Sequence, residues 1–250
     1  MSPSTFPELM AALLRRDTAR PLLTFYDDAT GERVELSMAT FANWVAKTAS
    51  LAQDDLDIEP GELVVVDLPT HWLGAVWLLA AWTAGYRVSV EPTSADRAAL
   101  VVCGPASLDR HSALAATVPV AALSLRPLGG RFTTPLPAGT IDFGAVVLAQ
   151  PDAFAAITPP DPDVAAMESA GQTWTQRELL AAAADVELVG AGGRLITGVN
   201  PCSAEGAIMV TSVLLQSASM VLVANADPGS WKVREEQERA TAQVRSAQHR

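Results

Sequence analysis

Apolar residues in this chain follow two habits. They recur at spacings of three and four, which predicts helices, or they form short runs closed by turn residues, which predicts strands. Glu8–Arg15 sets Leu9, Ala12 and Leu13 on one side and predicts a short helix. After Pro21, Leu22–Tyr26 and Arg33–Leu36 predict two strands around Asp27-Asp28-Ala29-Thr30-Gly31, an acidic, Gly-terminated turn of the hairpin kind. Ser37 is placed to cap a helix reaching Ala52, because Met38, Phe41, Ala42, Val45, Ala49 and Ala52 share a face. Glu59-Pro60-Gly61 turns the chain into Leu63–Leu68, an unbroken apolar run suited to a strand covered on both faces.

The following helix, Trp72–Ala84, is apolar all round. Trp72, Trp77 and Trp82 are five residues apart, so each indole is rotated about 140° from the last. Burial on most sides explains this helix better than an aromatic ligand cage does. Gly85 ends it, and Tyr86–Val90 is the next strand, completing a βαβ unit with its parallel pair and right-handed crossover. Strands are expected at Ala98–Cys103, Val118–Leu125 and Ala145–Ala149, a helix at Ser107–Ala116, and a loop or hairpin-like excursion over Pro127–Thr140.

The Pro-rich stretch Pro151–Asp163 reads as a linker inside a domain that spans residues 1–230. Beyond it come a strand at Val164–Met167 and a helix to Val189 opened by a Thr173–Gln176 capping box. A glycine turn (Gly190–Gly193), a strand (Leu195–Thr197), a helix (Ala204–Gln216) and a strand (Met220–Val223) follow. Residues 231–250 form a polar tail, docked as a helix or frayed. The fold class expected is α/β, with mostly parallel sheets flanked by helices.

Composition narrows the functions. The 250 residues carry a formal net charge of −11, which disfavours binding to a phosphate backbone. Cys103 and Cys202 form no CxxC and read as buried thiols, and His71, His111 and His249 make no paired ligand spacing, so no metal is expected. The N-terminus has no cationic, apolar signal sequence. Trp72–Ala84 is too short for a bilayer, and Gly206–Ala224 is broken by Thr211, Ser212, Gln216, Ser217 and Ser219. A cytoplasmic, non-membrane protein is expected. Gly190-Ala191-Gly192 lacks the rest of a dinucleotide fingerprint, since position 195 is Leu, and no GxSxG or GK occurs.

Leu22–Phe25 with Gly31–Ser37, the turn Glu59–Glu62, the strand Leu63–Pro69, the helix Trp72–Ala84 and Tyr86–Pro92 occur in an order that resembles the adenylate-forming, AMP-dependent synthetase and ligase superfamily. Glu168–Gly171 stands near the start of that family's phosphate-gripping loop, and Thr175–Leu180 resembles the helix start that follows it. Arg194–Val199 and Pro201–Val223 resemble a later segment, with Ser203 and Ala204 where the family has a histidine. The resemblance implies the N-terminal half of such an enzyme, in a short form similar to actinobacterial relatives.

The departures bear on chemistry. Adenylation builds negative charge on phosphates and needs cations and backbone amides aimed at it. The loop's central glycines, threonines and lysine are missing. The chain's two lysines, Lys47 and Lys232, follow no Gly-rich run, and the chain stops at Arg250, before the family's later lysine. The expectation is therefore a non-catalytic or regulatory relative with no catalytic residues. Ser169 and Gly171 are candidate ligand-binding residues, relics of an anion contact at a helix entry. The alternatives are a binder of a nucleotide, acyl group or coenzyme A, or an ATP-dependent acid ligase component completed by a partner chain. No resident cofactor is expected beyond a bound ATP, AMP or coenzyme A. A homodimer or protein partner is expected to cover the face that the missing half would occupy, and no nucleic-acid or membrane partner is expected.

Overall fold

The computed structural model describes residues 2–246 and folds them as two sheets sandwiching a layer of helices. In chain order the helices are α1 (Phe6–Leu14), α2 (Met38–Ser50), α3 (Trp72–Ala84), α4 (Leu108–His111), α5 (Phe143–Val146), α6 (Gln176–Asp185), α7 (Ala204–Leu215) and α8 (Pro228–Gln237). The strands are β1 (Pro21–Asp27), β2 (Glu32–Ser37), β3 (Leu63–Asp67), β4 (Arg87–Ser89), β5 (Leu100–Cys103) and β6 (Val120–Ala122). They continue with β7 (Thr140–Asp142), β8 (Ala165–Ser169), β9 (Gln172–Thr175), β10 (Arg194–Thr197), β11 (Ser219–Ala224) and β12 (Ala242–Val244).

One sheet has the order β12-β10-β11-β1-β2 and the other β7-β6-β5-β3-β4-β8-β9. Two hairpins, β1–β2 and β8–β9, are antiparallel, and the remaining pairings are parallel, which is the α/β class expected. Both sheets draw strands from either side of the Pro-rich segment 151–163.

Alternation along the strands assigns the faces. Val64 and Val66 of β3 and Met220 and Leu222 of β11 point into the central core with α1, α2, α3, α6 and α7. Leu63 and Val65 face the opposite way, under a short 3₁₀ turn (Pro92–Arg97) and α4, while Val221 and Val223 meet Trp231 of α8. Each sheet is therefore covered on both faces, as its apolar runs require.

All three tryptophans of α3 are buried. Trp82 stacks on Phe6 with centroids 4.3 Å apart and donates its indole N–H to the Ala166 carbonyl at 3.0 Å. Trp72 meets Trp44 edge-on, and Trp77 lies against Phe143. Packing accounts for the three indoles.

Several boundaries differ from expectation. Ala145–Ala149 is not a strand: α5 and a 3₁₀ turn (Val147–Ala149) occupy it, because Phe143 and Val147, four apart, are the buried residues. The adjacent strand β7 lies at the end of the stretch read as a loop. The expected helix at Ser107–Ala116 is one α turn, α4, continued by 3₁₀ turns. Thr173 does not cap a helix; it sits in β9 opposite Glu168, and the capping box is formed by Thr175 and Glu178. The segment from Trp231 supplies the rest of α8 and the edge strand β12, and Arg234 closes an ion pair with Asp28 at 2.5 Å. His249 lies outside the described residues.

Candidate functional site

The strands β1, β10 and β11 are mutually parallel, so their C-terminal ends lie together, and the end of β3 in the other sheet faces them. Between these ends is a cavity of about 560 Å³. Open α/β sheets present loops and helix starts at such a place, which is where they hold ligands. Phe25 and Asp27 come from β1, Thr70 and His71 from the β3–α3 link, Gly198–Asn200 and Ser203 from the β10–α7 link, Glu205 from the first turn of α7, and Val223–Ala226 from β11 and its exit.

Hydrogen bonds fix the wall. Asn200 ties the two sheets together, donating from Nδ2 to the Leu68 carbonyl at 2.8 Å while its Oδ1 accepts from the Cys202 amide at 2.9 Å. Asp27 accepts from Asn225 Nδ2 at 2.7 Å, from the Ala29 amide at 3.0 Å and from the Thr30 hydroxyl at 2.9 Å. Burial raises its pKa, but these donors outweigh burial and hold it below the ordinary value, so Asp27 is ionised at neutral pH. Ser203 caps α7 by accepting from the Gly206 amide at 3.0 Å.

His71 is the group sequence reasoning passed over. It is 3% exposed and caps α3, its Nδ1 accepting from the Leu73 amide at 3.2 Å. Burial pushes its pKa down to about 3, opposed by the charge of Asp27, so the imidazole is neutral at pH 7. With Nδ1 accepting, the proton resides on Nε2, and that atom is buried without a partner among the described residues. The ring meets Phe25 edge-on at 4.7 Å. Its place directly after an apolar strand and before a helix was the available signal.

The two thiols are inert. Burial pushes Cys103 up to about 12 and raises Cys202 as well, so neither presents a thiolate. Lys47 is tied to the Pro-rich segment, donating to the Gln150 carbonyl and pairing with Asp152 at 3.2 Å, and neither Lys47 nor Lys232 lines the cavity. Among the described residues, no three His, Cys, Asp or Glu side chains gather as metal ligands would, and no helix is long and apolar enough to cross a membrane.

Ser169 and Gly171 are placed elsewhere. They belong to the β8–β9 hairpin and do not line the cavity. Ala170 and Gly171 are a two-residue loop with φ of 50° and 75°, both positive as a type I′ turn demands. This corrects the expected helix entry: α6 begins beyond the second strand of the hairpin, at Gln176. The Glu91 carboxylate accepts from the Ala170 amide and from the Ser169 hydroxyl, the latter at 3.3 Å. The Ala170 amide and the Ser169 hydroxyl are thus engaged from within the protein.

No family model matches the sequence. Among solved structures, an acyl-CoA synthetase from Brucella canis superposes with a TM-score of 0.79 at 20% identity, over 96% of this chain and 47% of its own. MatB from Rhodopseudomonas palustris gives 0.71 at 19% identity over 94% of this chain and 48% of its own. A Mycobacterium tuberculosis fatty acyl CoA synthetase gives 0.72 at 13% identity over 95% and 48%. The chain spans about half the length of these structures, and the likeness is one of fold: the architecture is that of the N-terminal half of AMP-dependent acyl-CoA synthetases. A TIGR03089 family protein of Mycobacterium tuberculosis (strain ATCC 25618 / H37Rv) is 36% identical over 236 residues, which are 93% of this chain and 95% of the relative. Since that match runs along nearly the whole of both chains, this protein belongs to the TIGR03089 family.

Proposed function

We propose that this protein is a non-catalytic, regulatory relative of the acyl-CoA ligases, which keeps the scaffold to hold a small molecule between its sheets and does not form adenylates. The observation that carries this reading is the Ala170-Gly171 turn. Where a phosphate-gripping loop would offer a row of amides and a lysine, two residues reverse the chain and the Ala170 amide is engaged by Glu91. A triphosphate brought there would meet a carboxylate, and the stabilisation of its developing charge would be missing. The cavity at the strand ends supports the binding half of the reading, because its volume falls within the range of small-molecule sites.

The test is pyrophosphate exchange with ATP, magnesium and a panel of short- to long-chain carboxylic acids. No exchange above background is expected, together with a thermal shift from a small-molecule screen, because a ligand that binds the folded state raises its stability. Exchange dependent on any of the acids would refute the reading.

A further inference from the structure

We propose a second ligand site, separate from the cavity, that binds a small amphiphile with an anionic head and an apolar body. It lies at the opposite ends of the same strands. Where the chain enters β1, β10 and β11, beside the end of α1, the surface opens into a pocket of about 380 Å³, a size suited to a small molecule. The buried residues that line it are Leu13, Leu22, Met38 and Ala218, so its deep part is apolar. Its cations, Arg16 and Arg20, are exposed and stand at the mouth.

Two guanidiniums over an apolar floor match an amphiphilic anion only if they are ordered and not already neutralised. Backbone contacts order the link that carries them: the Thr18 and Arg20 carbonyls accept from the Ala39 and Met38 amides at the start of α2, at 3.1 and 3.2 Å. Arg16 donates from Nη1 to the Ser217 hydroxyl, and Arg20 from Nη2 to the Gly192 carbonyl at 2.6 Å. The Gly192 amide in turn donates to the Gln216 carbonyl at 3.0 Å, so both guanidiniums are anchored on one wall, formed by two joined loops.

Both anchors are neutral. Among the described residues neither Arg16 nor Arg20 forms an ion pair, although the whole chain carries a formal net charge of −11. Asp17 is the one carboxylate among the lining residues, and its Oδ1 accepts from the Ala19 amide of its own link at 3.1 Å. The end of α7 does not call for the arginines either. Ser217 takes a left-handed φ of 49°, and the Gln216, Ser217 and Ala218 amides satisfy the Ser212, Leu214 and Val213 carbonyls, each at 3.0 Å. Each guanidinium has five N–H donors in a planar fork, the geometry that grips a carboxylate or phosphate by two bonds. With the anchors made, most of that fork is left for an anion whose apolar body covers Leu13, Leu22, Met38 and Ala218.

The experiment titrates the full chain calorimetrically with octanoate, octyl phosphate, octanol and octylamine below their micelle concentrations, and with acetate and inorganic phosphate. The expected result is saturable binding of octanoate or octyl phosphate, at least tenfold tighter than octanol and weakened by salt. Either anion supports the proposal, and the tighter one names the head group. The double variant Arg16→Gln, Arg20→Gln should weaken that binding at least tenfold, and either single variant at least threefold, which keeps the test intact if the double variant folds poorly. Arg16→Lys with Arg20→Lys, which keeps both charges, should stay within about threefold of the wild type. Octanol or octylamine binding as tightly as the anions would overturn the proposal, as would acetate or inorganic phosphate binding as tightly as its octyl counterpart. Anion binding undiminished in the glutamine variants, or saturable heat from none of the probes, would overturn it too.

Discussion

Replacing His71 with asparagine should remove a specific slope from the pH dependence of stability. In the unfolded chain the imidazole titrates at its ordinary 6.5, whereas in the folded protein burial holds it unprotonated down to about 3. Between those values the unfolded state binds a proton that the folded state refuses. Stability is therefore unaffected by this group above pH 6.5 and falls below it, by about 1.4 kcal/mol per unit. At pH 5 the loss from His71 amounts to about 2 kcal/mol. His71 is 3% exposed, so solvent does little to screen the effect. Asparagine keeps an acceptor for the Leu73 amide, being a favoured cap, and has no proton to gain. Urea unfolding of both chains at pH 7 and pH 5, at one ionic strength, gives the comparison. The wild type should lose about 2 kcal/mol more than H71N on going to pH 5. Packing lost by the substitution cancels in this difference of differences. Equal losses in the two chains would refute the assignment of a buried, neutral imidazole.

Further expectations follow from single contacts. Ala170→Asn gives the β8–β9 hairpin the Asn-Gly pair that a type I′ turn favours, and should raise stability by about 1 kcal/mol in urea titration. Gly206→Ala would put a methyl 1.9 Å from the Asn200 carbonyl oxygen, so a loss of about 3 kcal/mol or insoluble expression is expected, read from the unfolding midpoint or the soluble fraction. Trp82→Phe removes the indole donor to Ala166 and should lower stability by about 1–3 kcal/mol, seen as a reduced melting temperature. Burial raises the Glu238 carboxyl, but the Tyr26 hydroxyl and Arg194 outweigh it and hold it below its ordinary 4.5. Its contribution to docking α8 is therefore present above that pH and fades as pH falls through the lowered value. In Glu238→Gln, hydrogen exchange in α8 and β12 should be faster at pH 7 and should lack the wild type's further acceleration at low pH.

The elements from α1 to β5 were legible because apolar runs and caps there agree with one another: Ser37, the run at Leu63 and the helix of three indoles each point to one answer. Where two local signals compete, tertiary pairing decides. Thr173–Gln176 and Thr175–Glu178 are overlapping capping boxes, and the second prevails because β9 needs Thr173 opposite Glu168. The short run at Ala145–Ala149 fits strand or helix by composition. Gly144 resolves it, its Cα packing so close to the Gly129–Arg131 backbone that a Cβ would lie 2.6 Å from the Gly129 oxygen. The cavity was not legible. Its residues come from strand ends, links and a helix start spread between positions 25 and 246, each ordinary in the sequence until the sheets bring them together. Ser169 and Gly171 were visible as residues resembling part of a motif, but Glu91, which engages the Ser169 hydroxyl and the Ala170 amide, lies 78 positions before Ser169 and leaves no local trace.

The pairing of β1 with β11 has a consequence for biogenesis. Leu23 and Phe25 find their parallel neighbours at Met220 and Leu222, so during synthesis β1 waits for a strand made much later in the chain. At cellular synthesis rates that wait is on the order of ten seconds or more. Meanwhile the early hairpin and the indole-bearing helix α3 are without much of the shell that will enclose them, and closure then requires a contact of large sequence separation, a slow event by topology. Newly made chains should accordingly engage holdase chaperones, and production at low temperature should improve the soluble yield more for this protein than for a helical bundle of equal length.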